Sequence, residues 1–173
     1  MLRADEDPIQ IVPYDRTYAR ADFDCGEVSV NRWLQENATQ SEKRGTTRTF
    51  LAVRDGVVLG YYCTKTYELT PDEHAATFGL GSSKYPVPAV LIAQLGVTKA
   101  ESGTGLGTRL LVDALQRILG VSFDVGFQLV IVDALSLDVS AFYRKLGFQP
   151  FEDHPLRLFM TVANLRATFE AAE

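Results

Sequence analysis

The chain reads as a single α/β (α+β) domain over residues 1–173, one mixed, twisted β-sheet with helices on both faces, and three observations predict it. Residues 90–97 and 128–134 are apolar almost throughout, as in strands buried on both faces. Between them Leu106, Leu110, Ala114, Leu115 and Ile118 recur along one helix face. Two alternating, β-branched segments, 47–53 and 57–67, flank Asp55-Gly56, a two-residue hairpin signal. A chain of 173 residues with 46% apolar letters can fill one core, and no Pro/Gly/Ser-rich linker or internal repeat divides it.

In chain order, residues 9–14 form a short first strand. Asp24-Cys25-Gly26-Glu27 then opens a helix that carries Val30, Trp33, Leu34 and Ala38 and frays near Gly45. The hairpin follows, then a short helix at 71–77 and a loop punctuated by Gly79, Gly81, Pro86 and Pro88. After strand 90–97 come a glycine-rich turn, a helix at 108–119, strand 128–134 and a helix at 139–146. Strands at 147–151 and 157–162 and a helical tail at 163–171 close the chain.

Composition removes several function classes. No apolar run approaches the roughly 20 residues of a membrane span, and residues 1–7 carry no signal-peptide pattern, so a soluble, cytoplasmic protein without a membrane partner is expected. Cys25 and Cys63 lack metal spacing and read as buried or neutral thiols. His74 and His154 stand apart from any Cys/His pair, which argues against a metal site, and read as surface residues. A net charge of −5 disfavours unspecific attraction to nucleic acid and leaves only local basic clusters: Lys43, Arg44 and Arg48, and Arg144 with Lys145.

The most informative stretch is Gly103-Thr104-Gly105-Leu106-Gly107 at the strand-to-helix junction. Glycines let a backbone approach an anion, and the helix start offers unpaired N–H groups and a positive dipole end, so the turn is a candidate phosphate cradle; a plain tight turn is the other reading. A Walker loop would need Lys and Ser/Thr after its last glycine, where Thr108-Arg109 stands. A dinucleotide fingerprint fits Gly103 and Gly105, with Asp133 as the ribose acid, but Thr108 spoils the third glycine position and too little chain surrounds the unit.

Taken together, Leu95-Gly96-Val97, Ser102-Gly103-Thr104-Gly105-Leu106-Gly107 and Ala141-Phe142-Tyr143-Arg144-Lys145-Leu146-Gly147-Phe148 resemble the GNAT N-acetyltransferase superfamily over residues 9–162. Phe23-Asp24-Cys25-Gly26, Asn31-Arg32-Trp33-Leu34 and Thr47-Arg48-Thr49-Phe50-Leu51-Ala52-Val53 are similar to its toxin branch. The resemblance implies a GNAT-like domain and an acetyl-CoA-dependent transfer of acetyl to a primary amine by direct attack in a ternary complex. For the toxin branch the amine is the α-amino group of aminoacyl-tRNA, and a ribbon-helix-helix antitoxin neutralises the enzyme; superfamily members also often form homodimers.

Carried over by residue, the resemblance implies a coenzyme A site at Leu95, Val97, Ser102, Gly103, Thr104, Gly105, Leu106, Gly107 and Thr108, the pyrophosphate resting on the backbone amides of 103–108 and the pantetheine arm pairing with the strand. Ser102 replaces the family's usual Gln or Arg, which removes one side-chain contact and leaves the cradle. Tyr143 is the expected catalytic residue, since a phenol can donate a proton to the departing thiolate; its structural alternative is an amphipathic tyrosine that closes the helix on the sheet. Arg32, Trp33 and Arg48 are candidate acceptor contacts, and no metal is implied.

Strand 90–97 offers no carboxylate base, and Glu68, at the end of the long strand, reads as a surface residue. A lysine amine, with a pKa near about 10.4, needs such a base, whereas an α-amino group near about 7.7–8.0 is already partly neutral. The letters therefore suit a low-pKa amine. A small-molecule or protein amine is the alternative acceptor, and a non-catalytic acyl-CoA- or partner-binding module the alternative of another class.

Overall fold

The computed structural model describes residues 8–79 and 84–172. Gly81 of the expected 79–88 loop, and residues 1–7, lie outside them. Seven strands pair in the order β1-β2-β3-β4-β5-β7-β6: β1 Gln10–Pro13, β2 Arg48–Arg54, β3 Val57–Leu69, β4 Val87–Val97, β5 Leu129–Asp133, β6 Gln149–Phe151 and β7 His154–Thr161. The sheet is mixed as expected, with β4 parallel to β5 and β1–β2, β2–β3, β5–β7 and β6–β7 antiparallel. Among the described residues six α-helices accompany it: α1 Val28–Arg32, α2 Ala38–Arg44, α3 Pro71–Phe78, α4 Leu106–Val121, α5 Leu137–Lys145 and α6 Val162–Glu170. Among the described residues no helix is long and apolar enough to cross a membrane.

The chain divides into two compact units, residues 1–64 with 94–114 and residues 65–93 with 115–173. In the first, Phe23, Val30, Leu34, Ala38, Leu51, Val58 and Tyr61 form one apolar core. The β2–β3 hairpin turns on Asp55 (φ 53°) and Gly56 (φ 75°), two successive left-handed residues of the kind that match strand twist. The first helix departs from expectation: α1 and α2 are joined by a π-helical turn, Trp33–Asn37. Its buried residues Val30, Leu34 and Ala38 recur every four positions. An α-helix of about 3.6 residues per turn would rotate such a stripe off the core, and one wider turn takes up part of the drift.

In the second unit Leu69, Ala89, Leu91, Leu129, Ile131, Phe151 and Phe159 form the core. β4 begins at Val87, earlier than expected, because Pro88 sits at the strand start and its carbonyl accepts from the Gln128 N–H (2.9 Å). α3 starts in a capping box between Thr70 and Glu73 with Pro71 in its first turn. His74 is not on the surface: it is 1% exposed, with Nε2 3.3 Å from the Tyr85 carbonyl oxygen. Its place on the inner face of α3, beside Phe78, explains the difference.

Candidate active site

In the first unit the turn after β4 is built from backbone. Gly103 and Gly105 hold φ of 77° and 88°, and a Cβ at either would meet nothing within 4 Å. Glycine is therefore required by conformation rather than by crowding. Thr104 N–H and Oγ1 both donate to the Glu101 carbonyl (3.3 and 2.7 Å), and the Glu101 carboxylate is held by Arg54 at 2.7 Å. Gly107 is not part of the turn but the second residue of α4, which starts two positions earlier than the sequence suggested.

The helix-type hydrogen bond from Arg109 N–H to the Gly105 carbonyl spans 3.0 Å. The N–H groups of Leu106, Gly107 and Thr108 precede it and have no intrahelical acceptor. Main-chain donors at a helix start suit a pyrophosphate. Ser102, Gly103, Thr104, Gly105 and Thr108 are exposed, while the Leu106 side chain, 4% exposed, belongs to the core and leaves only its amide for a ligand.

The strand leading into this turn carries a second backbone feature. The parallel β4–β5 ladder ends at Ile92↔Val132, whereas β4 runs on to Val97. Residues 93–97 thus leave that ladder while still extended, an edge that an amide-bearing chain can pair with. Gly96 is pressed against the first-unit core, where a Cβ would stand 2.8 Å from Val30 Cγ1 and 3.3 Å from Cys25 Sγ. By strand alternation Leu95 and Val97 point to the other face, half-buried. Burial pushes the Cys25 thiol pKa up, so no thiolate nucleophile stands here.

The three acceptor candidates also lie in the first unit and differ among themselves. Trp33 stacks on Tyr61, ring centroids 5.9 Å apart. Arg32 is exposed and only loosely paired with Glu36 at 3.9 Å. Arg48 is committed locally: Nη1 lies 3.0 Å from Glu42 Oε2, and Glu42 Oε1 accepts the Thr49 N–H at 2.6 Å, so this pair clamps the start of β2.

In the second unit α5 is capped by Ser136, whose side chain accepts the Val139 N–H. Tyr143 on α5 is 5% exposed and packs edge-on against Phe142 and Phe148, centroids 5.3 and 5.7 Å away. Burial, and secondarily the negative charge of Asp133, hold its pKa well above that of an ordinary phenol. Near neutral pH it carries its proton, so it can donate and cannot act as a base.

Asp133 belongs to a network that the sequence did not announce. It accepts two hydrogen bonds from Arg157, from Nε at 2.8 Å and Nη2 at 3.1 Å. Arg157 Nη1 donates to the Tyr67 hydroxyl and to Glu73 Oε2, each at 3.0 Å, and its guanidinium lies 4.9 Å from the Tyr67 ring centroid. Asp133 is therefore a salt-bridge partner, not a ribose acid. The only signal was a lone charge, Arg157, between Leu156 and Leu158. Glu68 is exposed, as expected.

Residues 12–148 match the acetyltransferase (GNAT) family. The chain belongs to the GNAT acetyltransferase family. As a member it is an acetyl-CoA-dependent N-acetyltransferase. The "tRNA-acetylating toxin" of Mycobacterium tuberculosis is 32% identical over 147 residues, 84% of this chain and 87% of that protein. The "Probable toxin TacT" of Sinorhizobium fredii is 30% identical over 172 residues, 91% of this chain and 93% of that protein. The crystal structure of AtaTR bound with AcCoA superposes with a TM-score of 0.79 at 25% identity, covering 93% of this chain and 98% of that chain.

Proposed function

We propose that this GNAT enzyme acetylates the α-amino group of aminoacyl-tRNA and is the toxin of a toxin–antitoxin pair. The observation that carries the acceptor is the identity with the mycobacterial tRNA-acetylating toxin across most of both chains. The chemistry of the strand agrees: β4 has no carboxylate, so an amine that is partly neutral without a base is the suitable acceptor.

Bound acetyl-CoA supplies an activated thioester. The chain's own groups seat and steer it: the amides of Gly103 and residues 105–108 take the pyrophosphate, with Ser102 and Thr104 beside them, and the β4 backbone at Leu95 and Val97 aligns the pantetheine arm. As the amine forms its C–N bond and the C–S bond breaks, Tyr143 Oη gives its proton to the sulfur, and the proton lost by the amine returns to the phenol through water. Arg32, Trp33 and Arg48 contact the acceptor, Arg48 while paired with Glu42. The partner in the cell is a ribbon-helix-helix antitoxin, and the enzyme is a single-domain homodimer.

The test is incubation with radiolabelled acetyl-CoA, charged tRNA and a panel of free amines. Label on aminoacyl-tRNA supports the reading, and label confined to free amines overturns it. The net charge of −5 favours such a small-molecule or protein amine as the second reading. Transfer to any amine eliminates a binding-only module.

A further inference from the structure

Asp133 is the last residue of β5, and the chain passes from it through Ala134, Leu135 and the cap Ser136 straight into α5, which carries Tyr143. That short connection is tied to β7. The Ala134 N–H donates to the Leu156 carbonyl (2.7 Å), and the buried Ser140 of α5, one turn before Tyr143, donates through Oγ to the Pro155 carbonyl (3.5 Å). Between these lies the cross-strand pair Asp133↔Arg157, where the guanidinium gives the carboxylate two hydrogen bonds. Of these ties only the last is between charged groups.

Arg157 is fixed independently of Asp133. Its Nη1 is held by the Tyr67 hydroxyl and Glu73 Oε2, and its guanidinium lies over the Tyr67 ring. The Arg157 side chain is only 18% exposed, so water screens the pair in part and the carboxylate is held both in place and in charge. That charge matters because it reaches Tyr143, and a negative charge beside a phenol holds back release of its proton. Asp133, Arg157, Tyr67, Glu73 and Tyr143 all lie in the second unit.

We propose that Arg157 is a positioning residue for the proton donor: by holding the Asp133 carboxylate across the β5–β7 ladder it keeps that negative charge paired and in a fixed place relative to Tyr143. The inference rests on Tyr143 as the donor under the proposed function. Without Arg157 the carboxylate at the entrance to α5 is unpaired, and the phenol becomes a weaker acid for the departing thiolate. The backbone cradle of the first unit is untouched, so the loss falls on the chemical step and not on cofactor seating.

Steady-state transfer from radiolabelled acetyl-CoA to charged tRNA, or to the free amine that takes label in its place, tests it. Arg157→Gln should lower kcat about 3- to 30-fold, since a neighbouring charge moves a pKa by about one to three units and proton donation feels about half of that. KM for acetyl-CoA should stay unchanged. Adding Asp133→Asn removes the carboxylate as well and should restore kcat to within about threefold of wild type, even where the melting temperature stays low. In a Tyr143→Phe background Arg157→Gln should have no further effect on kcat, because the group it positions is gone. Arg157→Lys, which keeps a cation but not the two-pronged bond, replaces a Gln variant that does not fold, with the same comparisons. Wild-type kcat in the folded Arg157 variant, no recovery with Asp133→Asn, or the same further loss in the Tyr143→Phe background overturns the positioning role and leaves Tyr143 as donor. Wild-type turnover in Tyr143→Phe itself overturns both.

Discussion

In the first unit the groups that matter at the turn belong to the main chain: Gly103 and Gly105 supply a backbone shape, and Leu106, Gly107 and Thr108 supply N–H groups whatever their side chains. In the second unit the corresponding group is a single hydroxyl, on Tyr143, fixed by aromatic neighbours. A backbone site is lost only by changing conformation, whereas a side-chain site is lost by removing one atom. The two regions should therefore respond to substitution in different ways.

The largest effect expected is at Tyr143. Tyr143→Phe removes the proton donor and keeps the ring, so turnover with labelled acetyl-CoA should fall about 10²- to 10⁴-fold, the usual contribution of a positioned acid. Acetyl-CoA affinity should be unchanged by calorimetry. Unchanged turnover would return Tyr143 to a packing role and erase the contrast.

Next comes Gly96→Val, a glycine of the first unit that is required for space. Its side chain meets Val30 and Cys25, and overpacking costs about 1–3 kcal/mol. Thermal unfolding should show that loss. Gly105→Val probes the other kind of glycine. The open surroundings leave only left-handed strain, about 1–2 kcal/mol, which should appear as up to roughly thirtyfold weaker acetyl-CoA binding. If Gly105→Val binds the cofactor normally, the cradle reading of the turn fails.

A smaller effect concerns the network beside Tyr143. Burial raises the pKa of Glu73, but hydrogen bonds from Tyr67 and Thr70 and the charge of Arg157 outweigh it, and the net shift is below the ordinary 4.5. A depressed carboxyl stabilises the fold fully above its ordinary pKa, and that contribution disappears as pH falls through the folded value. The melting temperature should therefore drop below about pH 4.5, and Glu73→Gln should flatten the drop. Smallest is Ser102→Ala, expected to change cofactor affinity less than about twofold, since backbone amides carry the contact.

The same division explains what the sequence made legible. The Asp55-Gly56 hairpin, the amphipathic α4 and the glycine turn obey local rules, and each is found where its letters placed it, though α4 starts early because Leu106 and Gly107 join the helix. The π-helical turn escaped because spacing by four at Val30, Leu34 and Ala38 reads equally as an α-helical face. The Arg157 network escaped for another reason: Tyr67, Glu73, Asp133 and Arg157 meet only through tertiary structure, and no short motif joins them. His74 was misplaced because a lone histidine carries no sign of which helix face turns inward.

The early end of the β4–β5 ladder has a consequence for the protein without its cofactor. An extended segment with open N–H and C=O groups is a template for any other strand, including one from a second chain. On the proposed reading, acetyl-CoA would also cover residues 93–97. Amide exchange there should slow sharply when acetyl-CoA is added, and the bare enzyme should be the form more prone to aggregate.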